Sequence, residues 1–148
     1  MQTIYHDTQP RRIHGAESAG QTTITGASTV DARKFDGVTF LATLGAVVDG
    51  ATARLKVEAR EEYGSGDWKA LEDAEAAIEG ADDDGEKQLS VTVRRPNPWS
   101  ELRAKLERED ENVELESIVA LCAAPQGRPV SLGPDLAAKA FVLGGQEA

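Results

Sequence analysis

The stretch Ala51-Thr-Ala-Arg-Leu-Lys-Val-Glu-Ala59 decides the fold class. Ala53, Leu55, Val57 and Ala59 fill one set of alternate positions, and Thr52, Arg54, Lys56 and Glu58 fill the other. Successive side chains of an extended chain point to opposite faces, so a period of two describes a strand with one buried and one wet face. A helix has no face that collects every second residue. The stretch therefore predicts a half-buried antiparallel strand.

Its neighbours follow the same grammar. Before it, Gly37 to Leu44 (GVTFLATL) is β-branched and aromatic and closes at Gly45, and Val48-Asp-Gly-Ala51 supplies turn chemistry. After it, Glu61 to Trp68 (EEYGSGDW) reads as a glycine-rich loop that delivers Trp68 as a plug at one end of the core. Glu72 to Glu79 (EDAEAAIE) contains helix formers without the length or apolar stripe of a stable helix, and stays open between a helical turn and an irregular strand. Lys87 to Arg94 alternates again with Leu89, Val91 and Val93 inward, until the prolines of Arg95-Pro-Asn-Pro98 interrupt the ladder. Ser100 to Arg108 fits two templates, a helix capped by Ser100 or a strand with Leu102, Ala104 and Leu106 on one face. Val113 to Leu121 is a strand whose second half is apolar on both faces, which places it mid-fold or beneath a neighbour.

Short strands separated by Gly, Pro and Asp turns predict an all-β antiparallel β-sandwich, jelly-roll or immunoglobulin-like, over residues 31–124. Residues 1–30 are polar and form an N-terminal arm or edge strand, with Gln21 to Thr25 as the best extended piece. Residues 125–148 form a C-terminal arm whose apolar part, Leu136 to Leu143 (LAAKAFVL), suits docking on a neighbouring subunit.

The 148 residues fit one domain, and with only 5% aromatics its core must rest on Val, Leu, Ile and Ala. A net charge of −10 repels phosphate backbones and anionic lipid, so neither nucleic acid nor membrane is an expected partner. Arg94, Arg95, Arg103, Lys105 and Arg108 cluster in sequence, but Glu101, Glu107 and Glu109 are mixed among them, which reads as a solvated, balanced face. The chain has no run of about 18 apolar residues and no signal-peptide core at its N-terminus, which points to synthesis and folding in a cytoplasm.

Candidate chemistry is sparse. Ala81 to Lys87 (ADDDGEK) looks like a calcium loop, yet with Gly85 at the sixth position Gly80 falls at the first and Val91 at the twelfth, where ligands are required. A turn in which Gly85 takes a positive φ explains it better. His6 and His14 lack the companions of a zinc site, and Gly64-Ser-Gly66 lacks the lysine end of a phosphate loop. Cys122 lies in an apolar run and reads as a small buried hydrophobe, and no GxSxG element is present. Acidic pairs such as Glu61 with Glu62 sit in hydrophilic loops, where water keeps both ionised. No catalytic residue, metal or cofactor is expected. Trp68 and Trp99 are the side chains that a carbohydrate-binding module would use.

Several segments taken in succession carry a resemblance. Val30-Asp31, Phe35 to Ala51 (FDGVTFLATLGAVVDGA), Leu55 to Ala59 (LKVEA), Gly64 to Leu71 (GSGDWKAL) and Asp82 to Pro96 (DDDGEKQLSVTVRRP) resemble small structural proteins of tailed phages and prophages. Such proteins are β-sandwich decoration, or cement, proteins of the capsid. The similarity spans roughly Asp31 to Ala124, and it favours a strand carrying Trp99, Leu102 and Arg103 where local propensity left a choice. The acidic Glu107 to Asn112 (EREDEN) departs from the pattern. The resemblance implies a non-enzymatic virion protein on the capsid exterior that binds the major capsid protein and self-associates, with a trimer as one arrangement. The candidate contacts are Ile4, Tyr5 and Ile13, then Pro96 and Trp99, then Phe141 and Leu143. A head-tail joining or tail protein, and a carbohydrate-binding sandwich, are the alternatives.

Overall fold

Sustained alternation becomes strand throughout the computed structural model, which describes residues 8–80 and 85–125. The strands are β1 (Thr8–His14), β2 (Glu17–Gly20), β3 (Ile24–Thr25), β4 (Val30–Asp31), β5 (Phe35–Val47), β6 (Thr52–Arg60), β7 (Lys69–Ile78), β8 (Gln88–Arg94), β9 (Glu101–Glu109) and β10 (Val113–Pro125). They form two antiparallel sheets. The first runs β1-β10-β5-β8, with β2 also on β10; the second runs β3-β9-β6-β7, with β4 also on β9.

β5 occupies one side of β10, so β1 and β2 lie end to end along the other side. β3 and β4 flank β9 in the same way, opposite β6. Each pair is one interrupted edge strand. Counted so, the sheets read first-eighth-third-sixth and second-seventh-fourth-fifth in chain order. That connectivity, two Greek keys wound together, is a jelly roll.

The core lies between the sheets. Phe40, Leu44, Leu115 and Ile118 from the first sheet meet Leu55, Leu102 and Leu106 from the second, all with relative exposures below 2%. Each side chain of this size contributes roughly 1.5–3 kcal/mol by leaving water. Cys122 is buried among them, and burial pushes its thiol up to about 11. The alternating segments at β5, β6 and β8 thus occupy the places their patterns predict. In β10, which runs between β1 and β5, register shifts between Val113 and Ser117 break the strict alternation, so Ile118, Ala120 and Cys122 join Val113 and Leu115 in the core while Ser117, Val119 and Leu121 point away from it.

Both open segments are strands. Ser100 to Arg108 becomes β9, paired over its whole length with β6 from Thr52↔Glu109 to Arg60↔Glu101. Glu72 to Glu79 belongs mostly to β7, and its weak pattern has a local cause. Lys56 pairs with Glu75 but Glu58 pairs with Ala70, so a bulge sets residues 71–74 against one residue of β6, with Asp73 at φ 60°. Such a bulge destroys alternation and twists an edge strand away from foreign partners.

Three expectations need correction. At the turn before β8 the left-handed residue is Glu86 (φ 61°) rather than Gly85, and the Glu86 amide donates to the Gly45 carbonyl at 3.0 Å. Residues 81–84, the aspartates of that motif, lie outside the described residues. Trp68 does not plug the core; it lies on the outer face of the second sheet, where the Arg60 and Arg103 guanidiniums each sit 4.5 Å from its ring. Arg108 is not part of a solvated face, being only 4% exposed. It continues the inward set Leu102, Ala104 and Leu106, and its charge is met by oxygens of the N-terminal segment.

Arg108 Nε donates to the Thr22 carbonyl (2.8 Å), Nη1 to the carbonyls of Ser18 and Val113 (both 2.8 Å), and Nη2 to Thr22 Oγ1 (2.9 Å). One guanidinium therefore ties the crossing from β2 to β3 onto the start of β10. Replacing it with Met is expected to leave three carbonyls without this donor, the buried one of Val113 among them, and to lower stability by about 3 kcal/mol, read as a shift of the urea midpoint. Lys, with a single nitrogen, is expected to recover little of that loss. The Cys122 thiol is expected to ignore a thiol reagent at pH 8 in the folded protein and to react at once in denaturant, because it is both buried and protonated.

Candidate functional site

The two sheets expose opposite chemistries. On the central strands of the second sheet, β6 presents Arg54, Lys56, Glu58 and Arg60 outward, and β9 presents Glu101, Arg103, Lys105 and Glu107. Every one is ionisable. On the central strands of the first sheet, β5 presents Gly37, Thr39, Leu41 and Thr43, and β10 presents Ser117, Val119, Leu121 and Ala123. None is ionisable. Charges adjoin these positions from the flanks, where Arg12 pairs with Val119 and Arg94 with Gly37, and from the start of β10 itself, where Glu114 and Glu116 point away from the core.

The charged face is internally neutralised. Arg103 binds Glu58 through Nε (2.8 Å) and Nη2 (2.7 Å), Lys56 reaches Glu107 (3.2 Å), and Arg54 spans Glu75, Glu79 and Glu109. Exposed pairs of this kind contribute little singly. Glu101 differs because it is buried at 4% exposure. It accepts from Thr29 Oγ1, from the Gly64 amide (3.0 Å) and from Arg60 Nε (2.6 Å). Burial raises its carboxyl, but these hydrogen bonds together with the Arg60 charge outweigh it and hold the group below the usual carboxylate range. Glu101 thereby fastens the 61–67 loop and the segment before β4 onto one end of the sandwich. Arg60 is fixed by Glu101 from one side and lies over Trp68 on the other.

Next to that end sits the Arg95–Trp99 loop, which crosses from the first sheet to the second. The Arg95 amide donates to Asp36 O (2.7 Å), Trp99 to Pro96 O (2.8 Å), Ser100 to Arg60 O (3.0 Å) and Ala32 to Ser100 O (2.9 Å). Arg95 is left-handed (φ 50°) and the Asn97–Pro98 peptide is cis. Three open grooves surround the loop. One of ≈390 Å³ runs between it and Arg33, Phe35 and Asp36; one of ≈400 Å³ lies against Leu71, Asp73 and Val93; one of ≈490 Å³ opens onto Thr39, Arg94 and Ala123. At the far end of the same sandwich a groove of ≈530 Å³ is lined by Gly45, Ala46, Gly85, Glu86, Glu114 and Glu116. One end is thus rich in arginine and the other in glutamate.

Of the expected contact residues, Pro96 and Trp99 come together on this loop. Pro96 is buried, and Trp99 is half-buried and packs against the core. Ile13 is 1% exposed and belongs to the core of the first sheet, so it offers a partner no surface. Ile4, Tyr5, Phe141 and Leu143 lie outside the described residues. His14 accepts from the Ala27 amide at Nδ1 (3.1 Å) and bonds Glu17 through Nε2 (2.8 Å), which holds β1 to the start of β2 and to the connection between β3 and β4. Among the described residues no group of three or more His, Cys, Asp or Glu is placed to hold a metal ion. No helix there is long and apolar enough to cross a membrane.

Sequence reasoning missed Arg108 and Glu101. For Arg108 the signal was present: once Leu102, Ala104 and Leu106 are inward, parity puts residue 108 inward too. For Glu101 none was, because the loop and Thr29 that bury it are distant in sequence. No protein-family model matches the chain, and comparison with curated protein sequences finds no match.

A carboxyl whose folded pKa is depressed stabilises the fold above its unfolded value, and that contribution is lost as pH falls through the folded value. Stability of the wild type is therefore expected to fall more steeply than that of Glu101→Gln as pH drops below about 4.5, the variant being the weaker protein at pH 7. Urea midpoints measured at intervals between pH 7 and pH 3 give both curves.

Proposed function

We propose that the protein is a non-enzymatic virion structural protein that decorates and stabilises an icosahedral phage capsid by binding the major capsid protein. The reading rests on the sequence resemblance over Asp31 to Ala124, and the geometry that best supports it is the platform around Pro96 and Trp99. Its backbone is pinned by hydrogen bonds to both sheets, so it meets a partner preorganised and loses little conformational entropy on docking. The surrounding grooves are shallow and open, suited to a broad protein surface. They carry the exposed Arg94 and Arg95 beside Asp36, with Arg33 already paired to Asp31, which gives a partner two guanidiniums to meet in a chain of net charge −10.

The outward site follows from the same charge, since a packaged genome repels an acidic domain from the inside. Weak individual contacts suffice on a symmetric shell that repeats them many times. The carbohydrate-binding alternative is less well supported. Trp68 is engaged by two guanidiniums and Trp99 packs on the core, whereas a sugar ring needs an open aromatic face. A head-tail or tail role differs in copy number, which quantitative mass spectrometry of virions measures.

Purified protein is expected to bind expanded capsids that lack it and to raise their melting temperature. Asn97→Glu, an exposed change on two of the grooves, is expected to weaken capsid binding at least tenfold while leaving the melting temperature of the free protein unchanged. Failure of the wild type to bind or to stabilise such capsids removes the proposal.

A further inference from the structure

The uncharged middle of the first sheet's outer face lies beyond the capsid-binding platform, which shares with it Gly37, Thr39 and Ala123 at one end, beside Arg94 and Arg95. We infer that this face is a self-association surface on which a second copy of this chain packs, sheet to sheet, about a two-fold axis that lies in the interface and runs across the strands. The inference stands apart from the capsid reading and does not need it.

Composition of the face comes first. Leu41, Val119 and Leu121 form its centre, framed by Thr39, Thr43 and Ser117, while the equivalent positions of the other sheet are all ionisable. A chain with 28% charged residues that leaves the middle of this strand pair uncharged has a surface fit to be covered. The polar groups on it are already engaged with one another: Thr39 and Thr92 share a hydrogen bond of 2.8 Å, and Gln88 donates to Thr43 at 3.2 Å. Covering them strands little.

The charges at the two ends then select the occupant. Arg94 and Arg95 stand where β8 ends, beside Gly37 and Ala123. Glu86, Glu114 and Glu116 stand at the opposite end, beside Gly45 and Ala46. A two-fold axis lying in the interface across the strands, at the middle of the face, runs the partner's strands antiparallel, and so lays each arginine end on the partner's glutamate end. The uncharged centres meet in between. The surface is complementary to itself, which is the condition for an isologous dimer. Two molecules of charge −10 repel at long range, and this orientation is the one that opposes the repulsion locally.

The size sets the strength. Four strands about 4.8 Å apart and about seven residues long give a plane of roughly 400 Å². That is small beside the ≈800 Å² per partner of a standard interface, so the dimer belongs in the micromolar range.

Sedimentation velocity of the full chain from 1 to 100 µM is the test. The wild type is expected to pass from monomer to dimer over that range. Leu121→Glu, an outward-facing change, is expected to leave a monomer with an unchanged far-UV spectrum. Arg94→Glu with Arg95→Glu is expected to weaken the dimer at least tenfold, and adding Glu114→Arg with Glu116→Arg is expected to restore it. That rescue requires the antiparallel pairing and guards against a variant that merely misfolds. Arg54→Glu, on the charged face, is expected to change nothing. A wild type that stays monomeric at 100 µM overturns the inference, as does an oligomer indifferent to Leu121→Glu. A monomer whose capsid binding is abolished by Leu121→Glu overturns it too, since the face then belongs to the capsid.

Discussion

Much of this structure depends on one buried cation. The first strands are short, polar and interrupted, and β3 and β4 have two residues each, too little backbone pairing to hold an edge alone. Arg108 makes the edge. It donates to Ser18 and Thr22 at the crossing and to Val113 at the head of the central strand, so the sheet-to-sheet passage and β10 share one guanidinium. Its partners are uncharged oxygens, which suits arginine: the delocalised ion loses less hydration than an ammonium, and its planar fork serves several acceptors at once.

Glu101 does the corresponding work at the other end of β9. It receives Thr29, Gly64 and Arg60, and through them gathers the approach to β4 and the 61–67 loop. β9 therefore carries a buried ion near each end and apolar residues between. The Arg95–Trp99 platform hangs from the Glu101 end, since Ser100 bonds Arg60 and Ala32 bonds Ser100. Rigidity at the platform is a consequence of this polar knot as much as of the core beneath Trp99.

The sandwich is polar in a second sense, because its two outer faces differ in charge. β6 and β9 alternate apolar with ionised residues along their length, whereas β5 and the second half of β10 alternate apolar with threonine, serine or further apolar residues, and only Glu114 and Glu116 at the start of β10 bring charge to that side. Both patterns satisfy the same core. What differs is the solvent side, where folding places no demand, so the difference reflects what each face meets outside the fold.

Alternation by itself determined the strands at 37–44, 51–59, 87–94 and 113–121, and with them an antiparallel sandwich, because a period of two has one physical realisation when one face is buried. The prolines of Arg95 to Pro98 marked the break in the ladder, whereas Trp99, which the resemblance put on the next strand, stands in the loop before β9. Alternation did not determine β7, whose bulge erases the pattern, nor β9, where a helix satisfied the same residues until β6 and β3 supplied pairing partners. Nor did it determine the fate of Trp68, Arg108 and Glu101. Each is a polar or amphipathic side chain whose environment is assembled from segments far apart in sequence: Trp68 from Arg60 and Arg103, Arg108 from residues 18 and 22, Glu101 from residues 29 and 64. Local pattern fixes which way a side chain points; only the tertiary structure decides what it finds there.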